Sequence, residues 1–287
     1  MNLRRPGEQL RQATNPSSTK SGSFVSPLAK EPIQKQAEHW NRQEARYDEI
    51  FLDPYGPDVV NPLWQELAGI PAARRQIAAD LGCGTGTLLP FLAEQFQSVI
   101  ALDFASDMLR RARSRLQSGQ LARVTFLERA MHELEDLEGK LDVAVAVNSL
   151  VMPDVRLIDR TLSAIRKSLK PDGLIMGVVP SIDAIYYHMM LLIDQSLDQG
   201  FPLAEAEKLA ALHVERRHYD FAFGRFQYEG LRQKFWQPFE VEYRLKKAGF
   251  SAPALKKVLY PWDESLASGG ALTAFPPSWD WFFTARA

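Results

Sequence analysis

The run Asp80-Leu-Gly-Cys-Gly-Thr-Gly ends an apolar stretch that begins at Ile77 and precedes an apolar pattern of helical period. Glycine lacks a Cβ, so glycines at alternate positions (Gly82, Gly84, Gly86) let the chain turn sharply and let a ligand lie against bare backbone. A strand, a glycine loop and a helix start form the first half of a nucleotide-binding α/β unit. The spacing here is Gly-x-Gly-x-Gly, not the Gly-x-Gly-x-x-Gly of a dinucleotide cradle, so the third glycine packs the loop and shapes no pyrophosphate site. Seventeen residues after Gly86, a second apolar run (99–102) delivers Asp103. A carboxylate at the tip of a second strand can accept both hydroxyls of a ribose.

Taken together, Asp80, the glycine spacing and Asp103 resemble motif I and its partner acid in the class I S-adenosylmethionine-dependent methyltransferases. The resemblance covers residues 40–285, with its specific motifs inside 77–180. It implies S-adenosyl-L-methionine as cofactor. Asp80, Gly82, Cys83, Gly84 and Gly86 would hold the methionyl part, with Asp80 reaching the amino group through water. Asp103 would take the ribose, Phe104 and Met108 would lie near the adenine, and Ala130 and Met131 would line the adenine side after strand three. Asn148, followed by Ser149, ends strand four and would face cofactor or substrate. The phrase Ala45-Arg-Tyr-Asp-Glu-Ile-Phe resembles the amino-terminal flap of the small-molecule enzymes, which makes Tyr47 a candidate for the catalytic site.

These side chains must be carried by an alternation of strands and helices. Apolar runs predict strands over 76–81, 98–102, 123–127, 141–147 and 174–179, with the last two at 254–260 and 279–285. Helices are expected over 59–67, over 87–95, after a Ser106 cap, after an Asp154 cap through Leu169, and from Pro238 to Gly249. Such alternation predicts an α/β, doubly wound, mostly parallel sheet. The resemblance gives it seven strands in the order 3-2-1-4-5-7-6, the last antiparallel. Residues 181–236 interrupt the rhythm after strand five with two helices (182–195, 202–218) and an aromatic stretch, read as an α-helical and aromatic lid over an apolar small substrate. Residues 1–30 are rich in Ser, Thr, Pro, Gly and Arg, a composition expected to stay disordered. Residues 31–75 are expected to form the helical flap and 76–287 the methyltransferase domain.

Composition narrows the chemistry. The 287 residues carry 34 basic and 35 acidic side chains, so no global field draws the protein to nucleic acid or an anionic membrane. No apolar run reaches the roughly 18 residues of a membrane span. The one cysteine, Cys83, excludes disulfides within the chain, cysteine zinc sites and a cysteine-held radical cluster, and fits a reducing, cytoplasmic setting. Asn148-Ser-Leu-Val stands where the amino-methylating nucleic-acid enzymes carry Asn-Pro-Pro-Tyr. In-line transfer from a sulfonium obliges no metal, acid or base, because positioning alone contributes about 7–11 kcal/mol. Among the histidines of 181–236, His188 is the candidate base, with a structural role as the alternative.

The reading is a methyltransferase acting on an O or N of a small-molecule acceptor, without nucleic-acid or membrane partners. Acceptor identity and oligomeric state stay open. Two alternatives are kept: a non-catalytic protein that binds S-adenosylmethionine or S-adenosylhomocysteine, and a NAD-dependent oxidoreductase.

Overall fold

Strands β1 (Ile77–Leu81), β2 (Ser98–Asp103) and β4 (Leu141–Val147) read as near-continuous apolar runs, as parallel strands covered on both faces must, whereas the edge strand β3 (Val124–Glu128) leaves Thr125 and Glu128 exposed. The computed structural model describes residues 53–228, 231–262 and 271–287. The expected disordered segment 1–30, Tyr47 and most of the expected flap lie outside these residues. The remaining strands of the main sheet are β5 (Leu169–Val179), β9 (Ser251–Tyr260) and β10 (Ser278–Arg286). The sheet order is β3-β2-β1-β4-β5-β10-β9, with β10 antiparallel to both of its neighbours. In order of appearance within the sheet this is 3-2-1-4-5-7-6, as expected.

Helices α1 (Leu63–Ala68), α2 (Leu89–Gln95), α3 (Ser106–Ser114), α4 (Ser118–Leu121) and α5 (Val155–Ser168) fill the connections of the parallel half. Two buried clusters result. One includes Leu102, Ala144, Leu162, Ile165 and Phe283, the other Leu92, Ala101, Val145 and Phe282. Sequence neighbours such as Ala144 and Val145 fall in different clusters because successive strand residues point to opposite faces.

Some expected boundaries are corrected. Val60 does not join a helix but bridges to Leu259 at the sheet edge, and α1 starts only at Leu63. Ser106 is the first residue of α3 and does not cap it. Ala105 holds the cap position, where its N–H is taken by Asp103. Asp154 does cap α5 through the Arg156 N–H, though Val155 at its start is exposed. Strand β5 begins five residues earlier than expected. Its pairing jumps from Leu141↔Leu169 to Val143↔Leu174, so Lys170–Gly173 bulges out of the ladder instead of ending it. Lys170 Nζ lies 2.8 Å from Asp142 Oδ2, which explains the one acid in an apolar strand.

After β5 come α6 (Ile182–Asp198) and α7 (Leu203–His213), followed by a three-stranded meander of β6 (Tyr219–Asp220), β7 (Arg225–Tyr228) and β8 (Leu231–Lys234). The aromatic stretch is therefore partly sheet, and the second helix is shorter than expected. Its rings pack on one another, Tyr219 lying 5.1 Å from Phe226 and 5.5 Å from Phe235. Helix α8 (Pro238–Lys247) then returns the chain to β9.

Candidate functional site

The carboxyl ends of β1, β2 and β4 and the residues after β3 meet at one edge of the sheet, around a cavity of about 900 Å³ including its mouth. The glycine loop forms one wall. Gly82, Gly84 and Gly86 all have positive φ (73°, 52° and 79°), the region that glycine enters without steric cost. The Gly82 and Cys83 N–H groups both donate to the Leu102 carbonyl, at 2.7 and 2.9 Å, which ties the loop to β2. A Cβ on Gly82 would sit 2.5 Å from the Ser149 Cβ, and one on Gly86 would sit 2.7 Å from the Ala112 Cβ. Those two glycines serve close packing. A Cβ on Gly84 would meet nothing within 4 Å among the described residues, so they leave bare backbone facing open space there.

Asp103 holds this wall in shape. Its Oδ2 accepts from the Gly84 N–H at 3.0 Å and its Oδ1 from the Ala105 N–H at 2.9 Å. Burial raises its carboxyl pKa, and the backbone N–H groups of Ala105, Gly84 and Phe104 pull it back. Asp80, buried at the end of β1, is pushed up to about 7, first by burial and then by the charge of Asp103. Burial likewise pushes the Cys83 thiol well up, with the Asp80 and Asp103 charges adding to it, so the sulfur is not an activated nucleophile.

Of the residues singled out in the sequence, Gly82, Gly84, Asp103, Phe104, Met108, Ala130, Met131 and Asn148 line the cavity. Asp80, Cys83 and Gly86 do not, and support the loop from within. His188 does not line it either. It is buried in α6, with its ring 5.4 Å from that of His213 and 5.2 Å from that of Trp262.

Several lining residues escaped the sequence reading. His132 follows Met131 directly, and burial lowers its pKa, which favours the neutral imidazole. Thr161 comes from α5, and Arg232 and Gln233 from β8. Strand β8 reaches the site because the Lys234 N–H donates to the Val151 carbonyl at 2.8 Å and Trp236 Nε1 to the Leu150 carbonyl at 2.9 Å. No local pattern signals such long-range fastening. Buried Asn148 Oδ1, Ser149 Oγ and Thr161 Oγ1 have no hydrogen-bond partner among the described residues, although buried polar atoms are nearly always paired. Asn148 adds a left-handed φ of 50°. Strained backbone and orphaned oxygens around a cavity fit a polar ligand.

A methyltransferase domain model matches residues 78–173, which span β1 to the bulge in β5. Those residues form a methyltransferase domain, on the fold that the sequence resemblance implies. The chain is 28% identical over 214 residues to YqeM, a Bacillus subtilis protein named as a methyltransferase, across 71% of this chain and 83% of that one. An S-adenosylmethionine-dependent methyltransferase of Methanosarcina mazei superposes with a TM-score of 0.56 at 17% identity, covering 79% of this chain and 97% of the other. A Burkholderia thailandensis 1,6-didemethyltoxoflavin N1-methyltransferase, solved with its acceptor and S-adenosylhomocysteine, gives 0.54 at 16% identity over 93% and 92%.

The residues present fit S-adenosyl-L-methionine, the cofactor that the sequence resemblance implies. Gly84 offers open backbone, Asp103 a buried acceptor, Phe104 and Met131 apolar surface, and Asn148 and Ser149 unpaired oxygens. Among the described residues, no group of three or more His, Cys, Asp or Glu side chains could hold a metal ion. No described helix is long and apolar enough to cross a membrane.

Proposed function

We propose that the enzyme methylates an oxygen or nitrogen of a small-molecule acceptor admitted between the glycine loop and β8. The observation that carries this reading is the shared cavity: Asp103 and Gly84 of the sheet edge and Arg232 and Gln233 of the insertion line the same space. Donor and acceptor groups would then meet in a partly apolar space, where binding orients the reactants and excludes water.

When bound, the sulfonium supplies an electrophilic methyl group, whose C–S bond breaks as an acceptor lone pair bonds to the carbon. Asp103 accepts from the ribose hydroxyls with its remaining lone pairs. The open backbone at Gly84 faces the methionyl end, and Asp80, behind the loop, reaches the amino group through water. Phe104, Met108, Ala130 and Met131 cover the adenine, and Asn148 Oδ1 turns to the cofactor or the acceptor. Catalysis rests on this positioning. His132, held neutral and on the wall, is better placed than His188 to take a proton if the acceptor carries one.

Residues 181–236 act as the lid and acceptor platform of a domain spanning 76–287. The single buried cysteine supports a reducing, cytoplasmic setting.

The test is release of S-adenosylhomocysteine when the enzyme and S-adenosylmethionine are mixed with fractionated cell extract. Release driven by the small-molecule fraction is expected. Release driven only by RNA or protein fractions would overturn the reading.

A further inference from the structure

Beside the cofactor cavity lies a second, wider depression that shares Arg232 and Gln233 with it. Arg217, Arg225 and Arg232 line this outer space, against the single carboxylate of Asp220. Strand register assembles the cluster. Gln227 pairs with Arg232 across β7 and β8, and Arg225 lies two residues before Gln227, so alternation puts all three on one face of the meander. Lys234, two residues beyond Arg232, is already neutralised by Glu240 at 2.6 Å and held by the Phe223 carbonyl at 3.0 Å. Arg232 has no such carboxylate within ion-pair distance among the described residues. The Arg225 guanidinium lies 4.9 Å from the Phe223 ring centroid and forms no ion pair among the described residues. Arg217 donates from Nε to His218 Nε2 at 3.2 Å, and its one acidic neighbour among the described residues is Glu215, a loose 3.8 Å away with both side chains largely exposed.

Excess positive charge next to a site for a cationic sulfonium is electrostatically unfavourable unless an anion sits between them. We propose that the acceptor is an oxyanion, a carboxylate or phosphate compound of metabolite size. Arg232 grips it, with Arg225 and Arg217 adding to the attraction. This rests on the small-molecule methyltransferase reading above. Guanidinium is suited to the task because its planar fork matches carboxylate and phosphate bidentately. The oxyanion is the handle, and the atom that is methylated is a second oxygen or nitrogen of the same molecule reaching past Gln233 into the inner cavity. There its lone pair forms the new bond to carbon. The C–S electron pair stays on sulfur, and the proton of an O–H or N–H acceptor passes to His132 on the cavity wall and from there to water.

The experiment titrates the full-length protein, saturated with S-adenosylhomocysteine, with succinate, citrate, inorganic phosphate and the uncharged trimethyl ester of citrate, by calorimetry. At least one anion is expected to bind and the ester not to, with the carboxylates and phosphate separating the two oxyanion types. Arg232→Gln should weaken that anion at least tenfold, Arg232→Lys less, while S-adenosylhomocysteine affinity stays within twofold. Arg232 is exposed, so the variant keeps the fold. Absence of binding by all three anions, or equal binding by Arg232→Gln, would overturn the proposal and leave the cofactor reading intact. Failure of S-adenosylhomocysteine itself to bind the wild type would remove both.

Discussion

Replacing Asp103 by Ala tests the ribose role and the loop support together, and the two effects separate. The carboxylate accepts from Gly84 N–H at 3.0 Å and Ala105 N–H at 2.9 Å while 7% exposed. Hydrogen bonds to a charged group contribute about 1.5–3 kcal/mol each. Losing both would cost roughly 3–6 kcal/mol, but removing a charge whose pKa is raised by burial offsets part of that. A net loss of stability of about 1–3 kcal/mol follows, which at this size lowers Tm by roughly 2–4 °C per kcal/mol. Losing the bonds to two ribose hydroxyls adds a similar gross cost to binding alone, so cofactor affinity should fall at least tenfold, about 1.4 kcal/mol or more. Calorimetric titration with S-adenosylhomocysteine, at a temperature well below the variant's Tm, isolates the binding effect. Unchanged affinity in a folded Asp103→Ala protein would refute the ribose assignment, whatever its Tm.

Asp80 titrates near 7 in the folded protein against 3.8 for its ordinary value, so its folded pKa is raised. Stability without cofactor is therefore greatest below about pH 4 for this group and declines as pH rises through 7, at up to about 1.4 kcal/mol per unit. Thermal unfolding of the wild type between pH 5 and 8 should show a decline that Asp80→Asn lacks; identical profiles would contradict the assignment. Gly84→Ala and Gly86→Ala should divide binding from folding. Both strain a left-handed backbone at a cost of about 1–2 kcal/mol, but only Gly86→Ala also drives a Cβ to 2.7 Å from Ala112. Melting curves should place Gly86→Ala lower, and titrations should show Gly84→Ala losing more cofactor affinity than its Tm explains. His188→Ala should reduce turnover less than tenfold in steady-state assays, because the ring does not line the cavity; a larger loss without loss of fold would place His188 in the chemistry.

The parallel half of the sheet was legible because its central strands, buried on both faces, are mostly apolar, and Gly82, Gly84 and Asp103 marked the candidate site through their spacing together with the family resemblance. Strand β5 was foreshortened because Lys170-Pro-Asp-Gly reads as a helix stop and a turn. Its register was decided by Lys170 pairing with Asp142 on another strand. The meander was missed because strands of two to four residues with charged alternates offer too short a period to count. His132 and Arg232 were missed for different reasons. His132 is one residue beyond the position the resemblance marked. Arg232 enters only because β8 docks on Val151, a contact between segments far apart in sequence. Conversely, Ser106 looked like a cap, but Asp103 had already taken the N–H at the helix entrance.

A crystal structure of the full-length protein with S-adenosylhomocysteine tests the central claim most directly. The ribose hydroxyls are predicted within hydrogen-bond distance of Asp103, the homocysteine end over Gly84, and the sulfur open toward Asn148 and Arg232. Ligand bound elsewhere, or Asp103 turned away from the ribose with the sulfur closed off from β8, would contradict the account.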